Sequence, residues 1–121
     1  ITPSNLSKLN LYKNELIQVI LNILNNAKDA FLEKKIENAT INISFEETYN
    51  EQKIFIKDNA GGIDEEIISK IFNPYFSTKT KKNGSGLGLY ICKNILEKET
   101  LGDISVENIE NGVMFIITIN K

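Results

Sequence analysis

The sequence lacks several residue types that commonly carry chemistry. Among its 121 residues there is no histidine and no arginine, so all 14 basic side chains are lysines. Without histidine, the chain lacks the commonest general base and the usual zinc ligand. Without arginine, it has no guanidinium group for a bidentate clamp on phosphate. The single cysteine, Cys92, excludes an internal disulfide bond and fits a reducing compartment.

Length and composition indicate one folded domain. The chain is 41% hydrophobic and 25% charged, values typical of a globular protein with a real core. Its net charge of -2 gives no general attraction to nucleic acid or to anionic membranes, so any anion binding has to be local. No apolar run approaches the roughly 20 residues needed to cross a bilayer, and no signal peptide is visible.

The spacing of apolar residues predicts a mixture of helices and strands. Between residues 15 and 35 they recur at three- and four-residue steps, as on a helix, with Asn14 as its N-cap. Residues 40–46 alternate with period two, as a half-buried strand does. We therefore predict an α+β sandwich, with helices on one face of a mixed, mostly antiparallel sheet. The predicted helices span 15–35, 64–71 (with Asp64 as a cap) and 89–97, and the predicted strands span 40–46, 53–57, 103–109 and 113–120.

A polar stripe lies opposite the apolar face of the first predicted helix. It contains Glu15, Gln18, Asn22, Asn26 and Asp29. On an arbitrary helix, such a stripe usually indicates only a solvated face. Asparagine and aspartate, however, each cost up to ~0.7 kcal/mol relative to alanine inside a helix, which favours a functional site that compensates. The carbonyl oxygens of two asparagines one turn apart are suitable neutral ligands for one magnesium ion.

Two glycine-rich segments follow predicted elements. Asp58 ends a strand and precedes Gly61 and Gly62, which fits either a tight turn or an acceptor carboxylate, for example for an adenine amino group. Residues 84–88, Gly-Ser-Gly-Leu-Gly, lead into the 89–97 helix, where backbone N–H groups and the helix dipole favour an anion. The spacing is neither that of a P-loop nor that of a Rossmann fold.

The segment from residue 72 to residue 86 shows no clear periodicity and contains three lysines close together. Long loops of this kind are usually lids or binding loops. An ordinary solvated loop remains the simpler interpretation for Lys81 and Lys82, whereas Lys79 is the better candidate for phosphate contact.

Taken in order, four motifs resemble those of the ATPase superfamily that joins histidine kinases with gyrase-type, chaperone and mismatch-repair ATPases. Residues 15–30 resemble the histidine-kinase N box and residues 58–63 the first glycine box. Residues 72–79 resemble the F box and residues 84–89 the second glycine box. The resemblance covers roughly residues 14–120, and four motifs in the correct order are far more specific than any one of them.

The resemblance implies the Bergerat ATP-binding fold, a histidine kinase catalytic domain over 14–121 and an N-terminal linker or edge strand over 1–13. It implies that Asn26 coordinates Mg²⁺ with Asn22 beside it, and that residues 72–85 form an ATP lid. The residues that it implies in ATP binding are Asn26, Asp29, Asp58 (accepting the adenine amino group), Gly62 and Ile63 (lining the base), Lys79 (reaching the phosphates), Gly84, Ser85, Gly86, Leu87, Gly88 and Leu89. Asn22, Asn26 and Lys79 are the predicted catalytic residues.

Ala60 and Asn22 distinguish this sequence from other members of the superfamily. Ala60 stands where the first glycine box usually has glycine, which allows less backbone freedom and slightly less room. Asn22 stands where the hydrolytic members carry the glutamate that activates water, and an amide cannot act as a base at neutral pH. The chain is therefore interpreted as holding ATP intact and donating its γ-phosphate to an external nucleophile.

The implied nucleophile is a histidine on a separate dimerisation domain of the same protein. Because this chain contains no histidine, we expect it to bind Mg-ATP or ADP but not to phosphorylate itself. The resemblance also implies a response regulator downstream, a cytoplasmic location within sensors that are often membrane-anchored, and no contact of this domain with nucleic acid or membrane. The alternatives are a degenerate, nucleotide-regulated binding module and a hydrolytic ATPase of the same superfamily.

Overall fold

A computed structural model describes residues 13–74, 88–99 and 102–120. In these ranges the chain forms helix α1 (Lys13–Lys34), strands β1 (Ile41–Glu47) and β2 (Glu51–Asp58), helices α2 (Glu65–Ile68) and α3 (Gly88–Glu99), and strands β3 (Asp103–Ile109) and β4 (Gly112–Asn120). The strands form one antiparallel sheet in the order β1-β2-β4-β3. The predicted α+β architecture is confirmed.

The core lies between one face of this sheet and the two long helices. Alternate residues of β2 and β4 are buried, as expected for central strands with one covered face. The fully buried side chains come from all layers of the sandwich. They include Val19, Ile23, Ile56, Cys92, Leu96, Ile104, Ile117 and Ile119.

Helix α1 is the longest element and begins two residues before its predicted start. Asn14 therefore lies inside the helix, and the prediction that it is the N-cap is wrong. The helix ends where Lys35 adopts a left-handed conformation with φ of 52°. The Ile36 N–H then donates to the Phe31 carbonyl at 3.0 Å, which satisfies one of the carbonyls left open at the helix end.

Strand β1 was predicted as half-buried, and this is wrong for most of its length. Its apolar residues Ile43 and Phe45 pair with the buried Ile56 and Ile54 of β2, yet they are 45% and 61% exposed. The physical reason is the strand's position at the edge of the sheet, beyond the side chains that the helices cover. The periodicity identified the strand correctly but could not reveal how far the covering layer extends.

The segment after β2 also differs from its prediction. The helix predicted over 64–71 is only the single turn α2, and the rest of that range forms turns. Asp64 occupies the N-cap position, but its side chain makes no capping hydrogen bond. Phe72, the first residue of the predicted F box, packs edge-on against Phe115 with the ring centroids 6.5 Å apart. Phe72 is therefore partly buried against the core.

None of the helices in the described ranges has the length and apolar character needed to cross a membrane.

Candidate nucleotide-binding site

The polar stripe of α1 is only partly a solvated face. Gln18 is exposed, whereas Asn22, Asn26 and Asp29 are half-buried. The Asn22 side-chain nitrogen Nδ2 lies 3.4 Å from the carbonyl oxygen of Gly88, at the start of α3. The asparagine side of α1 therefore faces the first turn of α3 at Asn22, whose short amide donates to the backbone there.

Cys92 is the second contact of the Asn22 amide. Its Sγ accepts from Asn22 Nδ2 at 3.4 Å and lies 3.8 Å from the carbonyl oxygen of Val19, to which the thiol donates. Burial raises the pKa of the Cys92 thiol, and the hydrogen bond from Asn22 opposes this shift. Cys92 is therefore a neutral packing residue between α1 and α3.

A second group of predicted residues lies in the loop after β2. Asp58 is the last residue of that strand, and its Oδ1 accepts the Ala60 N–H at 3.0 Å. This Asx-type bond turns the chain away from the sheet. Ala60 is buried and has no left-handed backbone, so alanine fits where related sequences usually have glycine. Gly61 does have a positive φ of 86°, a conformation that glycine adopts without strain.

The turn between β3 and β4 contacts the loop after β2 through backbone atoms. The Gly61 N–H donates to the Asn111 carbonyl at 3.0 Å. Gly112 lies so close to Asp58 that a Cβ atom at position 112 would be 1.7 Å from the Asp58 carbonyl oxygen. The loop that carries the predicted base-binding residues is thus packed directly against backbone of the β3–β4 turn.

Lys34 and Asn108 also hold the loop, and neither is among the residues predicted from the sequence. Lys34 Nζ, at the end of α1, donates to the Ala60 carbonyl at 2.9 Å. The amide of Asn108 bonds both backbone groups of Ile63, accepting from its N–H at 2.8 Å and donating to its carbonyl at 2.7 Å. Asn108 had a sequence signal: it follows Ile104 and Val106 at the same two-residue step, so it is polar where an apolar residue was expected.

Helix α1 therefore connects the two groups of predicted residues. Asn22 contacts the first turn of α3, and Lys34 contacts the loop after β2. They are twelve positions apart in the helix, a distance of roughly 18 Å along the axis. Asn26 and Asp29 lie between these two points on the same helix.

The remaining predicted residues are covered only in part. Gly88 is the exposed first residue of α3, and the half-buried Leu89 packs against the core. Five predicted residues lie outside the described ranges, namely Lys79, Gly84, Ser85, Gly86 and Leu87. The same holds for the predicted lid, of which only residues 72–74 are described.

Within the described ranges, no three acidic or cysteine side chains come together in a way that could hold a metal ion.

An α+β sandwich with an asparagine-bearing helix, an aspartate–glycine loop and a glycine-led helix is typical of one class of ATP-binding domain. Residues 12–121 match the family model described as histidine kinase-, DNA gyrase B-, and HSP90-like ATPase. The chain therefore belongs to this family.

Individual relatives narrow the class. The catalytic domain of the histidine kinase ThkA, in a nucleotide-free form, is 42% identical with a TM-score of 0.75, covering 89% of this chain and 67% of that one. A probable C4-dicarboxylate sensor kinase of Halalkalibacterium halodurans is 35% identical over 109 residues, 89% of this chain and 20% of that protein. The tetrathionate sensor histidine kinase TtrS of Salmonella typhimurium is 42% identical over 92 residues, 75% of this chain and 14% of that protein.

The chain thus spans a fifth or less of the length of these two sensor kinases. Together with the family match, the relatives confirm the resemblance drawn from the four motifs: the chain is the ATP-binding catalytic domain of a histidine kinase.

Proposed function

We propose that this domain binds Mg-ATP and donates the γ-phosphate to a histidine on a separate dimerisation domain of the same protein. The observation that carries the proposal is Asn22, a half-buried amide held against the start of α3, at the position where hydrolytic relatives have a water-activating glutamate. An amide cannot accept the proton of an attacking water molecule. With no histidine anywhere in the sequence, the commonest alternative base is also absent.

The residues present fit an adenine nucleotide with its metal. Asp58 Oδ1 accepts a hydrogen bond from the loop backbone, which orients the carboxylate as the proposed acceptor for the adenine amino group. Gly62 and Ile63 follow it in the same loop, beside the base. Asn22 and Asn26 offer neutral oxygens, which suit a cation that already carries the phosphate charge. When bound, magnesium neutralises charge on the transferred phosphate.

At the phosphate end of the proposed site, the N-terminus of α3 favours binding of the phosphate chain. The backbone N–H groups at Gly88 and Leu89 begin a 12-residue helix, whose dipole is positive at this end. The glycines before it and Lys79 complete this part of the proposed site. Phosphoryl transfer depends mainly on positioning and charge neutralisation, so a domain without a general base can still serve as the donor.

Nucleotide binding is tested first, by calorimetric titration of the chain with Mg-ADP and Mg-ATP. Asp58→Asn should weaken binding roughly tenfold, because a donor replaces part of the acceptor carboxylate. Asp64→Asn, the same change at an exposed side chain without a capping bond, is the matched control. Asn26→Asp should alter the magnesium dependence of binding, whereas Asn25→Asp, at an exposed neighbour, should not. Equal affinities in all four variants would contradict the assigned site.

Phosphotransfer is tested by mixing the chain and γ-labelled ATP with the separately expressed dimerisation domain of its own protein. The expected result is acid-labile label on the dimerisation domain and none on this chain, which has no histidine. Bound ATP without any phosphohistidine would instead indicate a nucleotide-regulated binding module. Steady release of phosphate by the isolated chain, abolished in Asn26→Ala, would indicate a hydrolytic ATPase.

The setting of the domain within its full-length protein is part of the same proposal. We propose a dimerisation domain as direct partner, a response regulator as the later phosphate acceptor, and a place on the cytoplasmic side of a sensor. Transfer of label from the dimerisation domain to a purified response regulator would test the second of these partners.

A further inference from the structure

The Asn108 side chain forms a pair of hydrogen bonds with the backbone of the loop after β2, as a neighbouring strand would. Its Oδ1 accepts the Ile63 N–H at 2.8 Å, and its Nδ2 donates to the Ile63 carbonyl at 2.7 Å. The same Nδ2 lies 3.2 Å from Oε1 of Glu65, at the start of α2. One amide therefore satisfies both polar groups of a single backbone residue and also contacts the next element.

The neighbouring Gly62 lies close to the Asn108 side chain. A Cβ atom at position 62 would lie 3.0 Å from Asn108 Oδ1 and 3.5 Å from its Cγ. Gly62 has no positive φ, so a larger residue here would crowd the Asn108 side chain but would not strain the backbone conformation. Gly62 and Asn108 are thus matched, 46 positions apart in the sequence.

We propose that Asn108 is a positioning residue for the base end of the nucleotide site. The proposal rests on the proposed function, in which Asp58, Gly62 and Ile63 surround the adenine. Asn108 touches the loop backbone and acts on the nucleotide only by fixing Ile63 and Gly62 in place. The hydrogen bonds of its side chain run to Ile63 and Glu65, whereas Asn22 at the proposed phosphate end contacts Gly88 and Cys92.

This separation predicts a change in base selectivity and not a uniform loss of affinity. When Asn108 no longer fixes Ile63 and Gly62, these residues no longer hold the base in register with the Asp58 carboxylate, which accepts the adenine amino group. The phosphate contacts, which an adenine and a hypoxanthine nucleotide share, remain the same. The preference for ATP over inosine triphosphate, which lacks the amino group, should therefore shrink when Asn108 is replaced.

The experiment measures dissociation constants of ATP and inosine triphosphate, both with magnesium, by competition against a fluorescent ADP analogue. Asn108→Ala removes both bonds to Ile63 and should weaken ATP binding about tenfold, with a much smaller effect on inosine triphosphate. Asn108→Asp keeps the acceptor but loses the donor, and it should also reduce the preference for ATP. Asn42→Ala is the same truncation at an exposed residue on the other face of the sheet, and it should bind both nucleotides as tightly as the parent does.

The outcomes separate the two proposals. A parent chain that binds neither nucleotide overturns the proposed function. A parent chain that prefers ATP, with the same preference in both Asn108 variants, overturns the positioning role, even if both affinities fall together through a loss of stability. If Asn108→Ala does not fold, as judged by circular dichroism, Asn108→Asp alone decides, because it retains the 2.8 Å bond to the Ile63 N–H.

Discussion

Gly112 provides a sharp test of the packing between the β3–β4 turn and the loop after β2. In Gly112→Ala, the new Cβ would lie 1.7 Å from the Asp58 carbonyl oxygen, 2.7 Å from the Asp58 carbonyl carbon and 3.2 Å from the Asn59 Cα. All three are backbone atoms, so no side-chain rotation can relieve the contact. Because a Cβ essentially never approaches another atom within 3.0 Å, the two segments must separate by at least 1.3 Å.

Two opposing effects decide the sign of the stability change. Gly112 begins a strand without a positive φ, so alanine restricts the unfolded chain and should stabilise the fold by about 0.5–1 kcal/mol. Overpacking a tight site costs about 1–3 kcal/mol, and a clash between backbone atoms belongs at the upper end of that range. We therefore expect Gly112→Ala to lower the free energy of unfolding by about 1–2 kcal/mol, with a melting temperature roughly 4–8 °C lower.

The assay is urea and thermal unfolding of the chain without nucleotide. Gly88→Ala is the matched control, because a Cβ there would meet no atom within 4 Å and the residue has no positive φ. This control should be as stable as the parent or slightly more so. An unfolding midpoint of Gly112→Ala equal to or above that of the parent would refute the reasoning, because it would show that the loop after β2 yields freely.

Two further predictions concern the core. Ile117→Ala truncates a side chain that is 0% exposed and should lower the free energy of unfolding by about 2–5 kcal/mol. Ile43→Ala, at a residue 45% exposed, should lower it much less. Equal urea midpoints for the two variants would contradict the burial of Ile117. Because burial raises the pKa of the Cys92 thiol, its contribution to stability is fully present below the unfolded pKa of about 8.5 and is lost as the pH rises through the folded pKa. Cys92→Val should therefore lose less stability than the parent between pH 7 and pH 10, and identical pH profiles would count against this.

The periodicity of apolar residues predicted most of the helices and strands correctly, because the physical cause of each of these elements is local. The apolar side of α1 and the alternation in β2 and β4 follow directly from the need to bury one face. The errors occurred where tertiary contacts decide. The exposure of Phe45 depends on the edge position of β1, and the shortness of α2 depends on how the chain turns after Asp64. Neither is encoded in a local pattern.

The candidate site divides in the same way. Asn22, Asn26 and Asp58 were found because short polar residues carry a cost or a meaning at a helix interior or a strand end. Lys34 and Asn108 were missed because each acts on backbone that is distant in sequence, 26 and 45 positions away. A lysine at a helix end is ordinary in sequence, and the polar break at Asn108 in the alternation of β3 does not by itself identify a partner; only the fold supplies both partners.

The Asn22 contact leads to a prediction that separates packing from metal binding. In Asn22→Asp, the group facing the Gly88 carbonyl at 3.4 Å becomes an acceptor, so that two oxygens with no hydrogen between them oppose each other. The cost should be on the order of 1 kcal/mol in the absence of nucleotide and magnesium. Asn25→Asp, the same change at an exposed position of the same helix, should stay within about 0.5 kcal/mol of the parent.

The pH dependence of this difference identifies its cause. Below a pH of about 4 the introduced carboxyl becomes protonated and can donate again, so the gap between Asn22→Asp and the parent should narrow on acidification. Thermal unfolding at pH 7 and near pH 3.5, with Asn25→Asp measured in parallel, provides the comparison. If Asn22→Asp and Asn25→Asp are equally stable at pH 7, the amide at position 22 has no packing role. The identity of that residue would then have to be explained by the ligand alone. A loss confined to Asn22→Asp would mean that the start of α3 selects an amide before any nucleotide binds, and so disfavours the carboxylate that a hydrolase needs there.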